Sequence, residues 1–156
     1  MKKISVLRPF SNLVKYEEWR SSWGDQSQVD IFSYVSFFCG PEDVLLFCRV
    51  LFPDFVVDRG GVFLSRSFEM DNASSWFETL LGDVRAVERL LNHTHMYDIF
   101  SSCSQGVSDE IFLQLADAVA VSWRLVLRDK FPEKNFSVEV SNTEQDYGPT
   151  VTFYQI

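Results

Sequence analysis

The chain has 156 residues, 46% of them hydrophobic and 23% charged, and its 14 Lys and Arg against 22 Asp and Glu give a formal net charge of −8. A chain of this length buries enough surface to fold without a disulfide scaffold, and its apolar content excludes intrinsic disorder. The acidity argues against direct nucleic-acid binding, which relies on a Lys/Arg surface and counterion release.

Lys2 and Lys3 begin the chain as in a secretory signal, but Arg8 and Pro9 interrupt the apolar stretch after four residues, so no such signal is expected. The uninterrupted apolar runs fall far short of the roughly 18 to 20 residues that cross a bilayer. Cys39, Cys48 and Cys103 include no Cys-x-x-Cys pair, and an odd number of thiols fits a reduced compartment. A soluble, cytoplasmic protein is the expectation.

In chain order, residues 4–7 read as a short strand. Ser11 or Asn12 then caps a helix running to Trp23 and ended by Gly24. Residues 29–39 are ambiguous, because aromatic and aliphatic side chains fill both faces whether the segment is strand or helix. Gly40-Pro41-Glu42-Asp43 predicts a helix over 41–51, with Pro at the first position and acids at the positive end of the dipole. Phe52-Pro53 stops it. Residues 55–64 read as a hairpin turning at Arg59-Gly60-Gly61. Ser75 and Glu78 have capping-box spacing and predict a helix from Ser75, broken at Gly82 and restarted by Asp83 to about Asn92. A short helical piece follows over 94–100. Ser108-Asp109-Glu110 opens the longest helix, whose stripe of Phe112, Leu115, Val119, Trp123 and Val126 ends at Phe131-Pro132. Residues 136–140 and 150–154 alternate as a closing pair of strands.

Both Phe-Pro pairs obey one grammar, in which a helix stops and a hairpin follows. The expected fold is therefore a single α+β domain over 1–156. Its mostly antiparallel sheet comes from two hairpins, about 55–65 and 136–155, with the first strand as a further candidate and several helices as cover.

Chemistry is sparse. Both histidines lie in Asn92-His93-Thr94-His95-Met96-Tyr97-Asp98. On a helix His95 and Asp98 share a face while His93 and His95 diverge by about 200°. In an extended segment the histidines face one way and Asp98 the other. A metal-binding protein or hydrolase centred on His93, His95 and Asp98 is thus an alternative that lacks a ligand-spacing signature. Cys103 lies in a polar loop with no base nearby in sequence to stabilise a thiolate. Gly60-Gly61 lacks the spacing, the lysine and the following helix of a phosphate loop. No cofactor is implied.

Charge is uneven. Residues 1–20 hold five Lys or Arg against two acids, net +3, which leaves −11 for residues 21–156. Glu42/Asp43 and Asp109/Glu110 suit helix starts. Glu69 and Asp71 either cap a helix or face a partner, and Glu144-Gln145-Asp146-Tyr147 sets two acids beside an amphipathic aromatic. Trp19, Trp23, Phe37 and Phe38 either pack in the core or form an exposed apolar patch.

These features favour a non-enzymatic protein-binding module that sequesters a basic protein. A bacterial immunity protein neutralising a cationic nuclease toxin is one concrete form, on size and charge alone. The expected partner-binding residues are Glu69, Asp71, Glu144, Asp146 and Tyr147. A homo-oligomeric structural protein is the remaining alternative.

Overall fold

Helix α7 (Asp109–Lys130) lies against a three-stranded antiparallel sheet of order β3 (Thr94–His95), β5 (Thr150–Gln155), β4 (Phe136–Ser141). This computed structural model describes residues 2, 4–143 and 147–156. Trp123, Val119 and Leu127 from α7 meet Val138, Val151 and Phe153 from the sheet in the main core, and the Trp123 and Phe153 rings cross edge to face at 5.8 Å.

A second sheet is the hairpin of β1 (Phe55–Asp58) and β2 (Gly61–Leu64). Arg59 and Gly60 occupy the turn with φ of 48° and 83°, the left-handed pair that a two-residue hairpin demands. Strand β2 is buried on both faces. Val62 and Leu64 join the main core, while Phe63 enters a smaller cluster with Ala73 and Phe77 of α4 (Met70–Thr79) and Val87 and Leu91 of α5 (Val84–Leu91).

The two sheets do not pair directly. Polar side chains of α5 stand between them. Glu88 accepts from Val62 N–H of β2 at 2.7 Å and from Gln155 N–H of β5 at 2.7 Å. Asn92, four residues on and hence on the same helix face, accepts from Leu64 N–H at 2.8 Å and donates to the carbonyls of Val62 (2.9 Å) and Phe153 (3.2 Å). Both side chains are fully buried. They occupy the place of a missing strand and satisfy backbone groups that would otherwise be orphaned.

The remaining described α-helices are α1 (Val14–Ser21), α2 (Ile31–Phe38), α3 (Pro41–Leu51) and α6 (Met96–Ile99). None of α1, α2 and α3 has a buried residue. Helix α3 is tied to α7 at its last turn, where Ser122 Oγ donates to Leu51 O and Trp123 Nε1 to Val50 O.

The α+β class, the antiparallel pairing, both hairpins and the 41–51 helix are as expected. Several details differ. The hairpins belong to separate sheets, and residues 4–7 form no strand; Ile4 and Val6 stay exposed, and the third strand beside β5 is Thr94–His95. Helix α1 is shorter than expected, because Asn12 takes φ 57° and the Ser11 and Asn12 side chains bond Glu110 of α7 rather than capping. Residues 29–39 contain a helix, fixed by a capping box between Asp30 and Ser33. Helix α4 begins at Met70 rather than Ser75, whose hydroxyl bonds back to Asp71 O within the helix. The 94–100 piece is helical only from Met96, since Thr94 and His95 pair with Val151 and Thr150.

The Phe-Pro grammar holds at both sites, with Phe52 and Phe131 as the C-caps of α3 and α7. Only Phe131 wedges inward, against Phe55 and Phe136. Phe52 is exposed.

Candidate partner-binding surfaces

The histidine segment and the last hairpin loop, read separately in the sequence, meet in space. Strand β3 leads His95 alongside the start of β5, and the Tyr147 ring stacks on the His95 ring at 4.2 Å with 14° between planes. The His93 ring stands edge-on to His95 at 4.7 Å. Tyr147 donates its hydroxyl to Asp98, and that bond holds the phenol above its usual titration range. The same effect acts beside it, where Tyr97 donates to Asp109 at the start of α7.

Gly148 follows at φ 84°, with the Tyr97 ring so close to its Cα that a Cβ has no room. This contact seats Gly148 against Tyr97, and Tyr147 beside it is 59% exposed. Arg66 completes the group by donating to Thr94 Oγ1 at 3.0 Å; burial lowers its pKa and the nearby Asp98 charge opposes that shift.

The ring contacts and the Tyr147 hydroxyl thus connect His93, His95 and Asp98. Asp98 is engaged by Tyr147, and no group of three His, Cys, Asp or Glu side chains with metal-binding geometry exists among the described residues. Cys39, Cys48 and Cys103 are free thiols.

Of the expected partner-binding residues, Glu144 and Asp146 lie outside the described residues. Glu69 and Asp71 are exposed at the start of α4, where Glu69 occupies the N-cap position without a side-chain capping bond. No hydrogen bond, ion pair or ring contact among the described residues links them to the Tyr147 group.

The largest departure from expectation is at α2 and α3. Phe32 is 82% exposed, Leu45 70%, Leu46 66% and Phe37 64%, and Ile31, Val35, Phe38 and Val44 of the same two helices are exposed as well. Trp19 is half-buried amid Tyr16, Trp23, Tyr34, Phe37 and Phe38, a cluster of rings that props α1 against α2. So Trp23, Phe37 and Phe38 do belong to an exposed patch. The rest of it has no separate signal in the sequence, because apolar residues on a helix look the same facing a core or facing out.

The stretch of chain that carries these side chains is acidic up to Arg49 of α3, which pairs with Asp54. Residues 21–48 contain Asp25, Asp30, Glu42 and Asp43 and no Lys or Arg. Asp25 is held below the usual carboxylate range by bonds from Ser27 and Gln28, and Asp30 by bonds from Ser33. Both are therefore ionised at neutral pH.

Beside Ile31, an open cleft of about 700 Å³ runs between residues 10–16 and α7, walled by Phe10, Val14, Tyr34, Ile111 and Leu115. Its rim is pinned by Gln114, which accepts from Ser11 N–H at 2.8 Å and donates to Ser11 O at 3.0 Å.

No single helix is long and apolar enough to cross a membrane; α2 and α3 together reach that apolarity but are bent by 113° at their junction. The chain matches no family model, no curated protein and no solved structure.

Proposed function

We propose that the protein is a non-enzymatic, cytoplasmic binding module that sequesters a basic protein partner, an immunity protein against a cationic nuclease toxin being the concrete form of that role. The observation that carries this reading is a surplus of uncompensated surface carboxylates. Ion pairs engage Asp54, Asp58, Asp117, Asp129 and Glu139. Asp25, Asp30, Glu42, Asp43, Glu69, Asp71 and Glu78 have no ion pair among the described residues and cluster on two stretches of chain that lack Lys and Arg, 21–48 and 69–83.

Such a field raises the encounter rate with a cationic protein and disfavours acidic ones, and exposed aromatics such as Tyr147 then supply contact area that holds the complex.

Affinity capture from source-cell extract with mass spectrometry, followed by titration of the captured protein at several ionic strengths, tests the proposal. The expected result is a partner rich in Lys and Arg, bound stoichiometrically, with an association rate that falls steeply with salt. A partner bound equally well at low and high salt, and indifferent to reversal of the carboxylates above, would overturn it.

A further inference from the structure

Helix α3 meets the body of the fold through Phe47, Val50 and Leu51, while its Leu45 and Leu46 and the phenylalanines of α2 stay exposed. Neither helix has a buried residue, and Asp25, Asp30, Glu42 and Asp43 have no ion pair among the described residues. The three phenylalanines of α2, at 82%, 64% and 59% exposure, alone present roughly 300–400 Å² of aromatic surface. These rings are spread around α2 rather than on one stripe, and Leu45 and Leu46 add exposed apolar surface on α3.

We propose that this apolar surface of α2 and α3 is where the partner docks, and that it takes an amphipathic segment with one apolar side and Lys or Arg along its edges. The inference rests on the basic-partner reading above and adds the place and the chemistry of the docked element. Charge complementarity selects that occupant. A membrane-seeking amphipathic helix carries Lys and Arg on its polar side to meet anionic headgroups, whereas the chain here brings Asp25, Asp30, Glu42 and Asp43 against one cation, Arg49 of α3, which is already paired with Asp54. A two-fold pairing with a second copy would set those same carboxylates against one another. An apolar stripe edged with cations satisfies both the aromatic surface and its acidic margin, in the manner of a helix laid on an apolar groove.

The test is fluorescence anisotropy with a labelled Leu/Lys amphipathic peptide of about 18 residues, five helical turns. The controls are a Leu/Glu counterpart and a Lys/Ser peptide of equal positive charge. The whole protein should bind Leu/Lys at least tenfold more tightly than either control. Phe32→Asp with Leu45→Asp should remove that preference, and because both side chains are exposed, thermal melting and circular dichroism should stay as in the parent. Glu42→Gln with Asp43→Asn should weaken binding and flatten its salt dependence. Glu69→Lys with Asp71→Lys should leave the Leu/Lys preference intact.

If Leu/Lys and Lys/Ser bind alike, or if binding follows Glu69 and Asp71 instead, the docking surface is wrong while a basic partner stands. If neither cationic peptide binds, both readings fall. Equal capture of Leu/Glu, sedimentation with phosphatidylcholine/phosphatidylserine vesicles, or a dimer in ultracentrifugation that Phe32→Asp with Leu45→Asp abolishes would each assign the surface to a different occupant and overturn the inference.

Discussion

Glu88 holds Gln155 twice, accepting one bond from its backbone N–H at 2.7 Å and another from its side-chain amide at 2.6 Å, across 67 residues of chain. The same carboxylate takes the N–H of Val62, so a single side chain closes the gap between the two sheets with three donors and no ion pair among the described residues. Glu88→Ala leaves two backbone N–H groups without their partner at the seam. At about 1–3 kcal/mol for each unsatisfied buried donor, the expected loss is about 2–6 kcal/mol in urea unfolding with an unchanged slope. Glu88→Gln should cost less than alanine but more than zero, since its amide NH2 faces a donor in one of the two positions.

Asn92 does the complementary work, donating where Glu88 only accepts. In Asn92→Asp the carboxylate keeps the Leu64 bond but faces the carbonyls of Val62 and Phe153 without a hydrogen to offer. The charged form is disfavoured in that site, so the introduced acid titrates higher folded than unfolded. Stability is then retained below the unfolded value and lost as pH rises through the folded one. Unfolding measured from acid to neutral pH should show the Asn92→Asp variant falling behind the parent as pH increases, while Asn92→Ala stays below the parent by a nearly constant amount.

Signals local to the backbone were legible in the sequence, and signals that depend on a distant partner were not. Pro41 with Glu42 and Asp43 opens α3, and Arg59-Gly60 turns the hairpin, because each obeys a rule spanning four residues or fewer. Glu88 and Asn92 look like surface residues of an amphipathic helix, and only the strand edges that α5 meets make them core. The Ser75 spacing misled because a serine hydroxyl inside a helix has the preceding turn's carbonyl as a competing acceptor. His95, Asp98 and Tyr147 were each singled out, yet their union required the β3 to β5 pairing, which no short motif announces. At α2 the composition marked an apolar segment, but exposure of Phe32, Leu45 and Leu46 is a property of what the rest of the chain leaves uncovered.

Asp98 and Tyr147 form a pair whose titration reports the loop directly. The bond to Asp98 favours the neutral phenol and raises its titration above the ordinary tyrosine range. Its contribution is present while the phenol keeps its proton and is lost as pH rises through the raised value. In Asp98→Asn the acceptor charge is gone, so Tyr147 should ionise at lower pH than in the parent. Ultraviolet difference titration against a Tyr147→Phe background isolates the signal. An unchanged Tyr147 titration in Asp98→Asn would show that the loop does not hold the phenol on Asp98 in solution.

Glu110 performs the matching task at the other end of the chain. Its carboxylate accepts from Ser11 Oγ at 2.7 Å and from Asn12 Nδ2, and those bonds hold it below the usual glutamate range. A depressed folded value means that the attachment is fully present above the ordinary glutamate pKa and is lost as pH falls through the lowered one. Hydrogen exchange of the amides in residues 11–16, normalised for the intrinsic pH dependence of exchange, should therefore show protection collapsing on that acid side while β5 and α7 stay protected. Glu110→Gln should lower the protection at neutral pH and abolish the acid step, since its neutral amide has no proton to gain there. The bonds from Gln114 to the Ser11 backbone remain in that variant, so residual protection above that of a free segment is expected, and its complete loss would mean that Glu110 alone anchors the arm. A parent protein whose arm shows no acid step at all would rule out the carboxylate as the fastening.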